Sequence, residues 1–416
     1  MTLARHAAIV LGAGVAGLST ALYLQRAGVA VALIDPLPPA GGASFGNAGL
    51  LSPDTAVPIA LPGMLRKVPG WLADPLGPLS VKPSYFPRAL PWLLRWIEAG
   101  RLSRVMAISD AMYALHRETL ICWKELLGAE LYGGLIRQAG QVQVWEGDAE
   151  SASAVVERQV RERHGIRADE LNADDLRQMF PGIAREVTRG LLVPGNGYTV
   201  SPARSVRTLG ELFRQEGGAL IQERAMKLIP QDGGGWMVMT NIANRTAPHV
   251  VVAGGAWSRQ LLDPLGIRVP LETERGYHAM LFDPEVTPSL PISNKTRGFG
   301  VTPMEDGLRI AGTVEIAGLD APPNEERAKI LVQHAKRMFP ALQGEQVRYW
   351  MGFRPSTPDS LPILGPAAGR PGLHFVFGHG HFGMTGGPPS GRLVARLIAG
   401  QAPGIDPAPY AAQRFH

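Results

Sequence analysis

The chain has one cysteine in 416 residues, Cys122. A single thiol excludes an intramolecular disulfide and any iron–sulfur or structural zinc site that needs several thiolates. It lies in ETLICWKEL, at helical spacing, so a buried core thiol is expected. No run of eighteen apolar residues occurs, so no membrane-spanning helix is expected. No basic run is interleaved with aromatics, which speaks against nucleic acid as a partner. Ser/His/Asp and paired-carboxylate motifs, internal repeats and low-complexity tails are all lacking. The N-terminus enters an apolar strand at once, without the features of a secretory signal, so a cytoplasmic protein is expected. The formal charge is +5, spread rather than blocked. Such a surface suits a solvated exterior, and equally a peripheral contact with the inner face of an acidic membrane.

What is present begins at residues 7–35, AAIVLGAGVAGLSTALYLQRAGVAVALID. Ala7 to Leu11 is an apolar run of the kind buried in a parallel sheet. Gly12 permits the tight turn out of that strand. Gly14 lets backbone approach a pyrophosphate, and Gly17 lets a helix pack close to the sheet. The helix, about 13–27, would point its free N–H groups and positive dipole at phosphates, with Val15 and Ala16 in its first turn. Gly28 ends it. The strand 30–34 then delivers Asp35, eighteen residues after Gly17, where a carboxylate can accept from a ribose hydroxyl. This is a dinucleotide-binding unit. The acid argues against a 2′-phosphate, which leaves FAD and NAD open.

From residue 40 the chain reads GGASFGNAGLLSP and then turns proline-rich. Pro53, Pro58, Pro62, Pro69, Pro75, Pro78, Pro83, Pro87 and Pro91 argue against a long regular element there. A short amphipathic helix is expected over 91–102, PWLLRWIEAGRL. Its Trp92 and Trp96 fit either packing onto a second domain or contact with a membrane surface. Helices are expected at 103–128, 151–164, 202–215 (capped by Ser201) and 324–338. Strands are expected in AGQVQVWEG and at 219–222, and in APHVVVAGGAWS. Residues 268–343 otherwise alternate strands and turns, as a mostly antiparallel sheet would.

Four segments carry a resemblance. They are the opening unit, then ASFGNAGLLSP, then VVVAGGAWS, and last GFRPSTPDSLPILGP followed by LHFVFGHGHFGMTGGPPSGRLVARLIAG. In this order they resemble the D-amino acid oxidase superfamily of FAD-dependent amine oxidoreductases, most closely its bacterial D-amino acid dehydrogenase branch. The resemblance spans essentially the whole chain and thins over about 55–190. It implies an α/β fold, with a Rossmann-type FAD-binding domain on a parallel sheet and a mainly antiparallel α+β substrate domain. The FAD-binding domain would comprise 1–55, 189–265 and 345–416, and the substrate domain 56–188 and 266–344.

The resemblance also assigns residues. Ser44, Asn47, Ala48, Gly49 and Leu50 would approach the flavin, with the bare backbone at Gly46 and Gly49 against its flat ring. Met226 would make an adenine-side backbone contact, and Ala253, Gly254 and Trp257 would sit near the nucleotide. Gly352 lies in the WMGFRPSTPD element. The GHGHFGMTGG turn would bring Gly380, His381, Gly383, Met384 and Thr385 to the ring, where a helix starting near Pro389 would stabilise charge at N1 and O2. His379 and His381 fit ordinary turn histidines equally well. No metal site is expected, since no third ligand accompanies them. Arg354 is the candidate clamp for a substrate carboxylate, since a planar guanidinium matches it bidentately. Tyr277 could assist, with Arg275 as a weaker candidate of the same kind. Monomeric sarcosine oxidases of that superfamily carry a cysteine just before the TPD element for covalent flavin attachment. None stands here, so noncovalent FAD is expected.

The implied reaction is oxidative deamination of a D-amino acid, with hydride passing from Cα to flavin N5 and the imino acid hydrolysed to a 2-oxo acid. The SFGNAGLL form points to cyclic substrates such as D-proline or hydroxy-D-proline. Alternatives are a glycine- or sarcosine-type oxidase, an NAD-dependent dehydrogenase and an FAD-bearing subunit of a larger complex. Dioxygen, a quinone or a redox partner could each accept the electrons.

Overall fold

The computed structural model describes residues 6–64, 70, 77–147, 152–344 and 346–415. Pro69 and Pro75 of the proline-rich stretch lie outside these residues. The Ala8–Leu11 strand is buried along its whole length, as an apolar run without alternation requires. It pairs in parallel with Val31–Ile34 on one side and His249–Val252 on the other. Ala219–Ile221 and Leu373–Phe377 extend the sheet in parallel, and Ile363–Pro366 closes it antiparallel. Sequentially distant segments thus form one six-stranded sheet. The opening helix, Val15–Arg26, crosses between its first two strands.

A second, nine-stranded sheet is mainly antiparallel. Its order runs Val347–Ser356, Glu272–Leu281, Gly307–Ile316, Phe299–Met304, Ile292–Asn294, Gln141–Glu146, Val187–Val193 and Asp169–Leu171. Leu79–Val81 joins alongside Gly307–Ile316. The expected domain boundary at 189 therefore falls inside a strand. The boundary at 345 would separate Val347–Ser356 from the sheet it belongs to. One face of this sheet packs against the helix Glu326–Met338 through Leu331, Ala335 and Met338.

Three helical expectations need correction. The helix expected from Pro91 starts at Phe86 and runs to Ala99. Pro87 sits in its first turn, where no donor is needed, and Pro91 removes only the bond back to residue 87. The single helix expected over 103–128 is two, Leu102–His116 and Thr119–Leu135, the second broken by a kink at Gly128, where φ is +74°. Cys122 is buried in the second, and burial pushes its thiol up to about 12, which makes it inert.

The closing helix begins at Gly383, six residues before the expected start, and continues to Ile398 through Pro388 and Pro389. Two prolines there remove the donors that would bond the carbonyls of Met384 and Thr385. Those carbonyls accept from elsewhere: Trp123 Nε1 donates to Met384 O (2.9 Å) and Thr119 Oγ1 to Thr385 O (3.0 Å). The prolines thus become docking points for the Thr119–Leu135 helix. On its other flank the closing helix meets the opening one through bare backbone. A Cβ at Gly391 would lie 2.7 Å from the Thr20 amide nitrogen, and one at Gly387 3.1 Å from Val15.

Candidate active site

That close helix crossing brings two helix N-termini to a single cavity of about 1090 Å³ between the sheets. The volume passes the roughly 300–1,000 Å³ of ordinary small-molecule pockets. At one end Gly12, Gly14, Val15 and Ala16 line it. Gly12 holds φ +125°, and a Cβ there would lie 2.3 Å from the Ala253 carbonyl oxygen. Ser44 Oγ accepts from the Val15 amide at 3.1 Å. Asp35 accepts from the Ala13 amide through Oδ2 and from the Leu37 amide through Oδ1, each at 2.7 Å. Burial raises the Asp35 carboxyl, and those two amides oppose the rise. At the other end the first turn of the closing helix reaches the cavity, and no side chain caps it. Two positive helix ends and a carboxylate on one elongated cavity fit a dinucleotide whose far ring gains negative charge on reduction. FAD fits this donor set. Removing the Asp35 carboxylate is expected to weaken FAD binding by about 10- to 100-fold, the scale of a charged hydrogen bond. Titrating FAD into apoprotein of Asp35→Ala, followed by flavin fluorescence, checks it.

Beside the cavity the edge strand of the large sheet and its neighbour set out a charged cluster. Arg354 and Glu274 are Cα partners on Val347–Ser356 and Glu272–Leu281, and Gly352 and Gly276 are the next such pair. Alternation along a strand puts these four residues on one face. The Arg354 guanidinium lies across Gly276, where a Cβ would sit 2.2 Å from Cζ. Its one hydrogen bond among the described residues goes from Nη1 to the Thr313 carbonyl oxygen, 3.1 Å away. Burial works against the charge, and Glu274 supports it. Thr313 sits at the bulge of Gly307–Ile316 with φ +54°. For a β-branched residue that conformation is strained, by about 1–3 kcal/mol. The strain aims a carbonyl at the guanidinium and leaves its remaining donors for a ligand.

Glu274 is buried, and its Oε2 accepts from His381 Nε2 at 2.7 Å and from Ser356 Oγ at 2.8 Å. Burial alone would raise the carboxyl. His381, Arg354 and Ser356 more than offset it and hold Glu274 below its ordinary value. His379 and His116 lie close behind, both buried. Burial drives them down to about 3 and about 4, so both are neutral at physiological pH.

The cavity collects most of the residues expected from sequence. Gly12, Gly14, Val15, Ala16, Asp35, Ser44, Asn47, Ala48, Leu50, Met226, Ala253, Gly254, Trp257, Gly352, Arg354, Gly380, His381, Gly383, Met384 and Thr385 all line it. Several reach it differently from the expectation. Gly17 does not line it; a Cβ there would fall 1.9 Å from the Gly12 carbonyl oxygen. Gly49 is left-handed, at φ +79°, and backs onto Met304 and the Thr199 carbonyl. The flat ring over Gly46 is the Trp350 indole, which also overlies Gly352. Thr385 spends its hydroxyl on Leu50 O and the Ser52 amide, tying the closing helix to the loop before it.

Tyr277 is also among the residues lining the cavity, and Arg275 is not, but the side chains of both are engaged away from Arg354. Both alternate onto the opposite sheet face from Arg354. Tyr277 belongs to the core with Leu331 and Ala335, and its hydroxyl donates to Glu315 and accepts from the Asn324 amide. Arg275 donates to the carbonyls of Gly318, Ala321 and Pro322. Neither side chain is placed to hold a substrate carboxylate. Glu274 escaped the sequence reading, though ETERGYH offered a signal. In a strand of period two, Glu274 shares a face with Gly276, and Tyr277 does not.

The chain is 38% identical over 418 residues to a D-amino-acid oxidase of Bradyrhizobium diazoefficiens, with 99% of each chain covered. A D-amino acid dehydrogenase of Vibrio vulnificus is 30% identical, over 95% of this chain and 96% of that one. Among solved structures, a glycine oxidase from Geobacillus kaustophilus superposes with a TM-score of 0.73 at 21% identity, over 99% of each chain. L-proline dehydrogenase from P. horikoshii gives 0.76 at 18% identity, over 99% of this chain and 98% of that one. At such identities these structures speak for the fold. The family described as FAD dependent oxidoreductase (DAO) matches residues 7–397. With its paired helix ends, its Asp35 and its full-length relatives, the chain belongs to the DAO family of FAD-dependent oxidoreductases.

Proposed function

We propose that this protein oxidises the α-carbon–nitrogen bond of a D-amino acid, with FAD held noncovalently. One observation carries the reading: a half-buried guanidinium, Arg354, faces the cavity with most of its donors unspent, and its surroundings work against its charge. A desolvated cation of that shape asks for a carboxylate. Bound FAD supplies the two-electron oxidation. The protein supplies position, exclusion of water and fixed charge. Arg354 anchors the carboxylate; bare Gly276 makes room for its guanidinium and bare Gly352 for the Trp350 indole, which sets the two side chains at the cavity wall. The imino acid formed is then hydrolysed by water to a 2-oxo acid and ammonia; a cyclic substrate would stop at the cyclic imine. The test is anaerobic bleaching of the flavin by a panel of D- and L-amino acids, glycine and sarcosine. D-amino acids are expected to bleach it. Bleaching by glycine and sarcosine alone would shift the reading to a glycine-type oxidase, and no bleaching by any of them would end it.

We further propose that reoxidation takes place at a lipid surface. No helix among the described residues is long and apolar enough to cross a membrane. The contact expected from Trp92 and Trp96 is not available, because both are buried and line the cavity. The same helix turns a different stripe outward. Phe86, Leu90 and Leu94, spaced by four, are 41%, 39% and 57% exposed. Exposed Arg88 and Arg95 stand on the same helix and exposed Lys82, Arg101 and Arg104 flank it in sequence, with Glu98 the one acid on the helix. An apolar stripe in a basic frame matches an anionic headgroup surface. Sedimentation with vesicles is expected to require anionic lipid. The double change Leu90→Glu, Leu94→Glu should weaken it about tenfold or more, since each inserted leucine contributes on the order of 1–2 kcal/mol. Equal binding by the double variant would remove this helix as the contact.

A further inference from the structure

The amino acid reading leaves one chemical requirement without an owner. At neutral pH an amino acid arrives as an ammonium, whose nitrogen has no lone pair to stabilise the forming C=N bond. We propose that the Glu274–His381 pair receives the substrate ammonium and takes its proton before oxidation. This rests on the D-amino acid reading above.

The geometry supports it in three steps. First, Glu274 stands opposite Arg354 on the neighbouring strand, so an anion and a cation lie side by side at the cavity wall. An α-amino acid zwitterion carries the complementary pair of charges at the same close spacing. Its carboxylate on Arg354 directs its nitrogen toward the Glu274 side. Second, Glu274 only accepts, so in the neutral imidazole its bond to His381 fixes the ring proton on Nε2 and leaves Nδ1 as a lone-pair acceptor. Third, His381 lines the cavity and its side chain is 29% exposed, whereas His116 and His379 are buried. His379 lines the cavity as well, but it is buried and its Nε2 is engaged by Ser390, which leaves His381 as the more exposed of the two.

The step balances simply. One N–H bond of the ammonium breaks and its electron pair stays on nitrogen. The proton bonds to Nδ1, and Glu274 stabilises the resulting imidazolium. The surrounding groups leave the task to this pair. Ser356 bonds the same Glu274 oxygen, and Arg354 is permanently charged. Glu272, two residues away, is raised by burial and engaged by the Tyr85 hydroxyl. His379 bonds Ser390, and His116 bonds the Thr55 carbonyl.

The experiment is the pH profile of kcat/KM for a D-amino acid in wild type, His381→Ala and Glu274→Gln. At pH 7, His381→Ala is expected to lose on the order of 100-fold, the low end for removal of a general base. The deficit should shrink about tenfold per pH unit as bulk solvent deprotonates the substrate instead. Glu274→Gln should lower kcat/KM at pH 7 in the same direction, because the imidazolium formed in the step loses its carboxylate partner. Binding of the matching carboxylic acid lacking the amine, read from the flavin spectrum, should be unchanged in His381→Ala and certifies an intact site. A deficit that stays flat with pH, or none at all, overturns the inference while wild-type turnover keeps the substrate reading alive. A wild type that oxidises no amino acid ends both.

Discussion

Arg354→Ala is expected to yield a folded, yellow protein with kcat/KM lowered by about 30- to 4,000-fold, the equivalent of about 2–5 kcal/mol for a desolvated charge pair. Partial exposure of Arg354 places the expected loss toward the lower end of that range, through solvent screening. The loss has two parts. The substrate carboxylate enters a dry cavity without a partner, and Glu274 loses one of the charges that keep it ionised. The variant should therefore bind simple carboxylates poorly as well as turning over slowly. Arg354→Lys restores the charge without the planar fork, and should recover affinity more than rate. Gly276→Ala gives an independent route to the same defect, since its methyl would occupy the place of the guanidinium. Near-normal kinetics in Arg354→Ala, measured by anaerobic single-turnover reduction, would mean that the carboxylate is held elsewhere.

What could be read from the sequence follows the range of each physical signal. The opening unit was legible because its information is local. A strand, a turn that only glycine can make and a helix end all lie within 7–35, and Asp35 stands at the strand's end. Arg354 was legible through its motif. Its neighbours were not, because Glu274 and Arg354 lie eighty residues apart and meet only through strand register. The facing of the Tyr277 side chain was hidden for the same reason: its place beside Arg275 and Gly276 in sequence says nothing about facing until the strand's phase is known. The early start of the closing helix was hidden by the rule that prolines interrupt helices. The rule fails here because Trp123 and Thr119, on another helix, take over the freed carbonyls. Trp92 and Trp96 carried a real amphipathic signal, but amphipathicity does not say which face meets lipid.

Gly391→Ala is expected to cost both halves of the FAD site at once. The residue lies outside the cavity and touches no ligand. Its bare Cα lets the closing helix lie directly on the opening helix, with the Thr20 amide nitrogen and Ser19 atoms 2.7–2.8 Å from where a methyl would go. Real Cβ atoms do not approach backbone so closely, and here the neighbour is backbone, which cannot swing aside as a side chain can. The helices must separate by several tenths of an ångström, at a cost of about 1–3 kcal/mol for an overpacked contact. That shift moves the N-terminus at Val15 and the N-terminus at Gly383 relative to each other, and a single FAD would have to reach both. The variant should fold with normal secondary structure yet purify with little flavin and unfold at lower temperature. Gly133→Ala serves as the control. It lies in the exposed part of a helix with no atom within 4 Å of the added methyl, so it should be neutral or stabilising by up to about 1 kcal/mol. If Gly391→Ala retained FAD with wild-type affinity by fluorescence titration, the helix crossing would not set the spacing of the two helix ends. The clustering of Gly386, Gly387 and Gly391 would then serve packing alone.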